Sequence, residues 1–304
     1  MNCAGAMVMV NFLTFDIEDW YHANYQSVDI SRFQGVPSRL EAETDRLLEI
    51  CADAGVESTC FVLGSVAETL PGLVKKIAAA GHEVASHGHS HQLVYSMTPD
   101  QFRKDLQKSC AILEELTGKK VWGFRAPSWS LKEDTLEWYY PILEEANLAY
   151  SSSVYPASTF LYGIPAFPNR VHYPAIAGRD TTILEIPVPV VRLLGKTIGF
   201  SGGFYFRLLP GWLIRKAFRK VGPQGKESFL YLHPREIDPQ QARLPLPFLE
   251  SLIQYYGTSS CEKKLRRTLA YLAGSFVRMG DYARARTQDR LLLRRFSPDS
   301  GSGH

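Results

Sequence analysis

No Cys-x-x-Cys spacing occurs in this chain of 304 residues; its five cysteines, Cys3, Cys51, Cys60, Cys110 and Cys261, are scattered and odd in number. That argues against a zinc knuckle or a redox pair and for reduced, mostly buried thiols. No uncharged apolar run reaches the length of a membrane-spanning helix. The short apolar stretch at residues 6–10 lacks a basic flank or a cleavage-like site, so it reads as a first strand, and a cytoplasmic location is expected. Neither a Gly-x-Gly-x-x-Gly nor a phosphate-loop motif is present, which argues against a dinucleotide-type open sheet. A formal net charge of +3, with no long basic low-complexity arm, gives no reason to expect a nucleic-acid partner.

What is there is an ordinary globular balance, 45% apolar and 21% charged. From about residue 7 to 155, short apolar runs alternate with segments of helical periodicity, the pattern of βα units around a parallel sheet. Strands are expected at residues 8–15, 59–63, 82–85, 121–124 and 150–155. The first helix, from about Ser38, has Leu40, Leu47, Leu48 and Cys51 on one face and Gly55 where a C-terminal cap belongs. A second passes through Leu73, Val74 and Ile77 and ends at Gly81. Thr98-Pro99-Asp100-Gln101 has capping-box spacing with proline at the first helical position, which predicts a helix to Gly118, and another helix is expected over 132–149. Beyond Pro156, prolines at 165, 168, 174, 187 and 189 predict irregular surface loops, until residues 229–232 restore a buried strand. At least five strand–helix units favour a closed or nearly closed α/β barrel.

The polar residues are placed informatively. Asp16, Glu18 and Asp19 follow strand one, His87 and His91 follow a later strand, Arg125 another, and His233 the last. In a parallel barrel those strand ends open on one face, where catalytic groups gather. Three of the eight histidines fall in Ser86-His87-Gly88-His89-Ser90-His91. Two imidazoles four apart can point the same way from one helical turn, and with one carboxylate they leave a divalent ion open positions for water and substrate. Three carboxylates within residues 16–19 repel one another, and a cation relieves that repulsion.

Leu13-Thr14-Phe15-Asp16, the 86–91 histidine segment, Arg125-Ala126-Pro127 and Tyr231-Leu232-His233-Pro234 together resemble the motifs of the polysaccharide deacetylases, carbohydrate esterase family 4, with their NodB-type homology domain. The resemblance covers about residues 10–270. Phe15-Asp16-Ile17-Glu18-Asp19-Trp20 and Gly202-Gly203-Phe204-Tyr205-Phe206-Arg207 are similar to a subgroup associated with exopolysaccharide and surface-glycan gene clusters. The resemblance implies a distorted (β/α) barrel of about seven parallel strands, with irregular Pro-rich insertions, and one divalent ion: zinc first, with cobalt, nickel or iron as alternatives. By that likeness Asp16 is the general base, His87 and His91 are metal ligands, Arg125 orients the base and His233 is the general acid. His22 and His89 match nothing in the motifs. The chain departs from the family pattern in three places. Ile17 interrupts the usual pair of aspartates, leaving both Glu18 and Asp19 as candidates for the third ligand; Ser128 replaces an aromatic; and Tyr150-Ser151-Ser152-Ser153 lacks an aspartate that could bear on what positions His233.

The implied reaction is hydrolysis of an N-acyl, foremost N-acetyl, group on an amino sugar, in a glycan or a lipid- or nucleotide-linked precursor. A backbone N–H near Ser128 is expected to face the oxyanion, and an imidazole of ordinary pKa suits protonation of the leaving amine. Two rivals are a glycan-binding barrel without full catalysis and a non-haem iron oxygenase, which also uses two histidines and a carboxylate. The expected organisation is a catalytic domain over 1–258 and a basic helical extension over 259–304 with a disordered tail. Between Lys263 and Arg295 that extension carries ten basic residues against Asp281 and Asp289, so contact with an anionic membrane surface at its inner face is an open reading alongside a merely solvated helix.

Overall fold

The computed structural model describes residues 10–22, 37–158, 163–193, 196–221 and 227–296. Strand β1 (Asn11–Ile17) is buried along its whole length, which is why it reads as a continuous apolar run and not as an alternation. Then come α1 (Leu40–Ala54), β2 (Thr59–Val62), α2 (Gly64–Thr69), α3 (Pro71–Ala79), β3 (Glu83–Ser86), α4 (Pro99–Thr117), β4 (Gly123–Phe124), α5 (Leu136–Glu145) and β5 (Tyr150–Ser151). The remainder contains β6 (Ala175–Ile176), β7 (Arg179–Asp180), β8 (Leu184–Glu185), β9 (Val190–Leu193), β10 (Lys196–Gly199), α6 (Gly203–Leu208), α7 (Gly211–Val221), β11 (Ser228–Leu232), α8 (Phe248–Tyr255), α9 (Thr258–Tyr271) and α10 (Met279–Phe296).

Seven strands form one sheet in the order β11-β1-β2-β3-β4-β5-β8, every neighbouring pair parallel. This is the expected distorted barrel, left open between β11 and β8. Single backbone bridges, Gly202 to Tyr231 and His172 to Glu185, partly cover the two edges.

Period-two alternation divides the side chains between two cores. Leu13, Phe15, Ile17, Cys60, Val62, Leu230 and Leu232 pack outward against the helices. Phe12, Phe61, Ala85, Tyr150, Phe229 and Tyr231 fill the interior, together with Met279 and Ala283 from the start of α10. The local signals at helix ends hold: both halves of the Thr98–Gln101 capping box form, and Gly55 and Gly118 close α1 and α4 in the left-handed conformation at φ 63°.

The structure corrects several expectations. Strand one runs on to Ile17, while residues 8 and 9 lie outside the described residues. The helix expected over 132–149 shortens to α5, preceded by a 3-10 turn over Glu133–Thr135, and the strand expected over 150–155 shrinks to two residues. The Pro-rich stretch after 156 is not only loop. It supplies β8, the seventh strand of the sheet, and two small antiparallel hairpins, β6–β7 and β9–β10. Nor does the packing break near residue 258. Cys261, Leu265 and Leu269 of α9 are buried in the outer core, the Asn11 N–H donates to the Ser275 carbonyl, and the Met279 N–H donates to Thr59 Oγ1. Helix α9 and the start of α10 therefore pack onto the barrel, and the tail over 297–304 lies outside the described residues.

Candidate functional site

The alternation that buries Phe15 and Ile17 outward turns Asp16 and Glu18 to the other side, into the open C-terminal end of the barrel. Arg125, directly after β4, is fully buried and reaches down to meet Asp16. Its Nη1 donates to Asp16 Oδ1 at 2.6 Å and to Thr14 Oγ1 at 3.0 Å. Its Nη2 donates to Ser152 Oγ at 3.1 Å and its Nε to the Ser152 carbonyl at 3.3 Å. The guanidinium lies over the Phe61 ring, 4.0 Å from its centroid. A charge so far from water is tolerable only because its donors are engaged by a carboxylate and oxygens. Arg125 therefore fixes Asp16 between the apolar interior and the polar mouth.

Glu18, His87 and His91 form the one group of three side chains with metal-ligand spacing among the described residues; all are buried, and their ligand atoms lie within 4.8 Å of one another. His87 Nδ1 sits 2.9 Å from the Arg125 carbonyl, which can only accept, so that nitrogen carries the proton and Nε2 presents a lone pair. Glu18 Oε2 lies 3.7 Å from that Nε2 and 2.6 Å from His91 Nε2, yet this oxygen has no properly oriented hydrogen bond. A buried carboxylate oxygen without an oriented hydrogen bond, set beside two imidazoles, is a donor set suited to a divalent cation, with positions left over for small ligands. Burial would raise the Glu18 pKa, but His91, Arg235 and His233 outweigh it and hold the carboxyl well below the ordinary range.

The histidine segment is not the helical turn that its spacing suggests. Residues 87–91 are irregular backbone, and His91 has φ 55°, an uncommon conformation for a non-glycine residue and one met at functional sites. Asp105 of α4 holds the loop by accepting from the N–H groups of His89 and Ser90, at 2.7 and 3.1 Å. His89 faces Glu68 at 3.1 Å, away from the group of three. His22, also outside the motifs, does line the mouth: its ring is 5.7 Å from that of His91, and burial lowers its pKa to about 4.

Asp19 stands apart from the three. Its carboxylate accepts the Trp20 N–H at 2.8 Å and a bond from Ser38, and its own N–H donates to His22 Nδ1 at 3.0 Å. Of the two candidate acids, only Glu18 joins the histidines. The period of two was a usable signal, because Asp16 and Glu18 share a face whereas Asp19 does not.

His233 follows β11 across the mouth. Its Nε2 is 3.4 Å from Glu18 Oε1 and 3.9 Å from Asp16 Oδ2. The aspartate absent at position 151 is not replaced in place: Ser151 and Ser153 bond to each other and to the Tyr139 hydroxyl, beneath the mouth. His233 instead has Glu236, one turn on, whose Oε1 is 3.7 Å from Nδ1 and 3.6 Å from Arg207 Nη2. Burial opposes ionisation of Glu236, but the bond with His233 and the Arg207 charge lower its pKa on balance. Arg235 completes the turn, donating to Glu18 Oε1 at 2.8 Å. Arg235 and Glu236 escaped the sequence reading, although their closeness to His233 in the chain was a signal. Ser128 lies in the turn Pro127–Trp129, and both Ser128 and Trp129 have positive φ, 52° and 47°.

Comparison with known proteins agrees with this geometry. Residues 11–141 match the polysaccharide deacetylase family model, and residues 152–284 match a domain of unknown function, DUF3473. The chain is 32% identical over 155 residues to a peptidoglycan deacetylase-like protein of Gibberella zeae, covering 47% of this chain and 45% of that protein. It is 31% identical over 172 residues to the peptidoglycan deacetylase of Helicobacter pylori, covering 52% and 56%. The chain thus spans about half the length of these relatives. A solved Mycobacterium smegmatis structure, provisionally assigned as a polysaccharide deacetylase, has the same fold with a TM-score of 0.63 at 19% identity, over 100% of this chain and 97% of that one. On its motifs and its match over residues 11–141, that part of the chain is similar to the polysaccharide deacetylases, the NodB-type domain of carbohydrate esterase family 4, and the whole shares the fold of the Mycobacterium smegmatis structure.

Proposed function

We propose that this protein is a metal-dependent hydrolase that removes an N-acyl group, foremost acetyl, from an amino sugar of a bacterial surface glycan, an exopolysaccharide or a precursor of one. The observation that carries the reading is the convergence of Glu18, His87 and His91 beside Asp16 and His233, from three separate strand ends. Relatives named as peptidoglycan deacetylases support the substrate class.

Glu18, His87 and His91 would hold one divalent ion, zinc first, with cobalt, nickel or iron as alternatives. When bound, such an ion supplies Lewis acidity toward an acyl oxygen and lowers the pKa of a water. Asp16, held in place by Arg125, takes the proton from the attacking water as the new carbon–oxygen bond forms. A backbone N–H of the turn at Ser128 is assigned to the acyl oxygen as negative charge develops there. His233 then delivers a proton to the sugar nitrogen as the carbon–nitrogen bond breaks, releasing the carboxylic acid and the free amine. Arg235 and Glu236 hold Glu18 and His233 in register across the mouth.

The test combines metal analysis with release of acetate or formate from N-acylated amino sugars. His87→Ala should lose both metal and turnover, the latter by on the order of a thousandfold or more. His233→Ala should keep the metal and still lose most turnover. Full activity in either variant, or undiminished metal in His87→Ala, overturns the reading.

A further inference from the structure

Seven of the ten large apolar side chains that stand exposed among the described residues fall between positions 205 and 256, on α6, α7 and α8 or at their ends. On α8, Phe248 is 84% exposed and Leu249 65%, with Leu252 and then Tyr256 continuing the same side, while Gln254 and Tyr255 face the protein. On α7, Trp212 is 61% exposed and begins a stripe that continues through Lys216 and Arg219 at spacings of four and three; Ile214 and Phe218 are buried on the opposite side. Arg207 joins α6, which directly precedes α7, to α8. From the end of α6 it donates to the carbonyls of Ile253, at 2.6 Å, and Tyr256, and Lys264 binds the carbonyls of Phe206, Arg207 and Leu209. The end of α6, with Leu208, is thereby held beside the end of α8, and α7 begins three residues later.

Charge distinguishes this face from an ordinary protein-docking surface. Helix α7 carries four basic residues and no acidic one. Among the described residues Arg215, Lys216 and Arg219 make no ion pair with a carboxylate, and the two guanidiniums lie 5.6 and 5.3 Å from the Tyr271 ring. In the basic C-terminal stretch, by contrast, Arg266, Arg278, Arg284 and Arg286 are paired with Asp53, Asp281 and Glu227. Two copies meeting through this face would set α7 cations against each other, whereas anionic headgroups would neutralise them. Exposed Trp, Phe and Leu flanked by Lys and Arg match the chemistry of a bilayer interface.

The patch also adjoins the mouth of the barrel. Gln254 of α8 donates to Gln241 Oε1 at 2.8 Å, Gln241 donates to the Arg235 carbonyl at 2.8 Å, and Arg235 donates to Glu18.

We propose that α7 and α8 form a docking face for an anionic phospholipid bilayer, with Trp212, Phe248 and Leu249 entering the headgroup layer and Lys216 and Arg219 lying against the phosphates. This surface is independent of the reaction assigned to the barrel. Flotation with phosphatidylglycerol-containing vesicles, against phosphatidylcholine alone, tests it on the full chain. Wild-type protein should float with the anionic vesicles and be released by salt. The triple variant Trp212→Ser, Phe248→Ser, Leu249→Ser should partition roughly a hundredfold less, and Lys216→Glu with Arg219→Glu roughly twentyfold less. Melting followed by circular dichroism checks that both variants fold, and where the triple variant does not, the charge variant alone decides. Wild-type protein that never floats, folded variants that float equally well, or a wild-type dimer that the triple variant splits into monomers would each overturn the proposal.

Discussion

Glu18 and Glu185 are both buried carboxylates at the C-terminal ends of sheet strands, 3% and 0% exposed, and they differ in what surrounds them. Glu185, at the end of β8, is saturated: Oε1 accepts the N–H groups of Ser153 and Val154 at 2.8 and 2.9 Å, and Oε2 accepts the Tyr140 hydroxyl at 3.0 Å. Glu18 has one oxygen on Arg235 and the other turned to two imidazoles without an oriented bond. Equal burial thus has opposite uses. Glu185 commits its acceptors to holding the 152–154 segment, which in turn holds Arg125, whereas Glu18 leaves one oxygen without an oriented hydrogen bond. An unsatisfied buried acceptor costs about 1–3 kcal/mol, and more for a charged group, so a fold keeps one where the site needs it.

Substitutions at the two glutamates and their neighbours sharpen that contrast. The largest effect is expected at Glu18: Glu18→Ala should remove metal binding and lower turnover on the order of a thousandfold, while Asp19→Asn, whose carboxylate caps Trp20, should keep the metal. Metal titration of the two variants would reverse the ligand assignment if Asp19→Asn proved the weaker binder. At Glu185 the damage should appear in folding instead. Glu185→Leu leaves two buried N–H groups and a hydroxyl unsatisfied and should cost about 3–5 kcal/mol in denaturant unfolding, with metal affinity per folded molecule unchanged. Glu236→Gln should lower kcat about ten- to a hundredfold with KM and bound metal retained, because it removes the charge facing His233 Nδ1 and leaves Glu18, His87 and His91 in place. An unaltered kcat would leave His233 with no need of that carboxylate.

The smallest effect concerns Glu43, on α1 behind the His233 turn. Burial, then a hydrogen bond with Asp238 and the Asp238 charge, raise its pKa to about 8. The folded state therefore holds this proton more tightly than the unfolded chain does. Its stabilising contribution is full below the unfolded value near 4.5 and is lost as pH rises through 8, at no more than about 1.4 kcal/mol per pH unit. Unfolding free energies between pH 5 and 8 should fall less steeply for Glu43→Gln than for wild type. Parallel curves would show that Glu43 is ionised throughout.

Much of the barrel was legible because its signals are local. Capping at Thr98 and Gln101, glycine at positions 55 and 118, and apolar runs such as 59–63 each depend on a few neighbouring residues. Elements of two residues carry no period, so β8 was hidden among the prolines around 165–189, and Glu185 with it. The packing of α9 and α10 onto the barrel was hidden for a related reason. A basic composition describes the exposed side of α9 and α10, and says nothing of Leu265, Leu269 and Met279, which close the core from the other side.

The sequence by itself determined which residue types stand at the ends of which strands: Asp16, His87, Arg125 and His233 follow apolar runs, and parallel strands must open on one face. Only the tertiary structure set Glu18 within reach of both imidazoles, turned the 87–91 loop through a left-handed His91, and brought Glu236 to His233 where position 151 has no acid. Those outcomes depend on distances between side chains far apart in the chain, or on backbone angles outside regular elements. Neither is encoded in a local pattern.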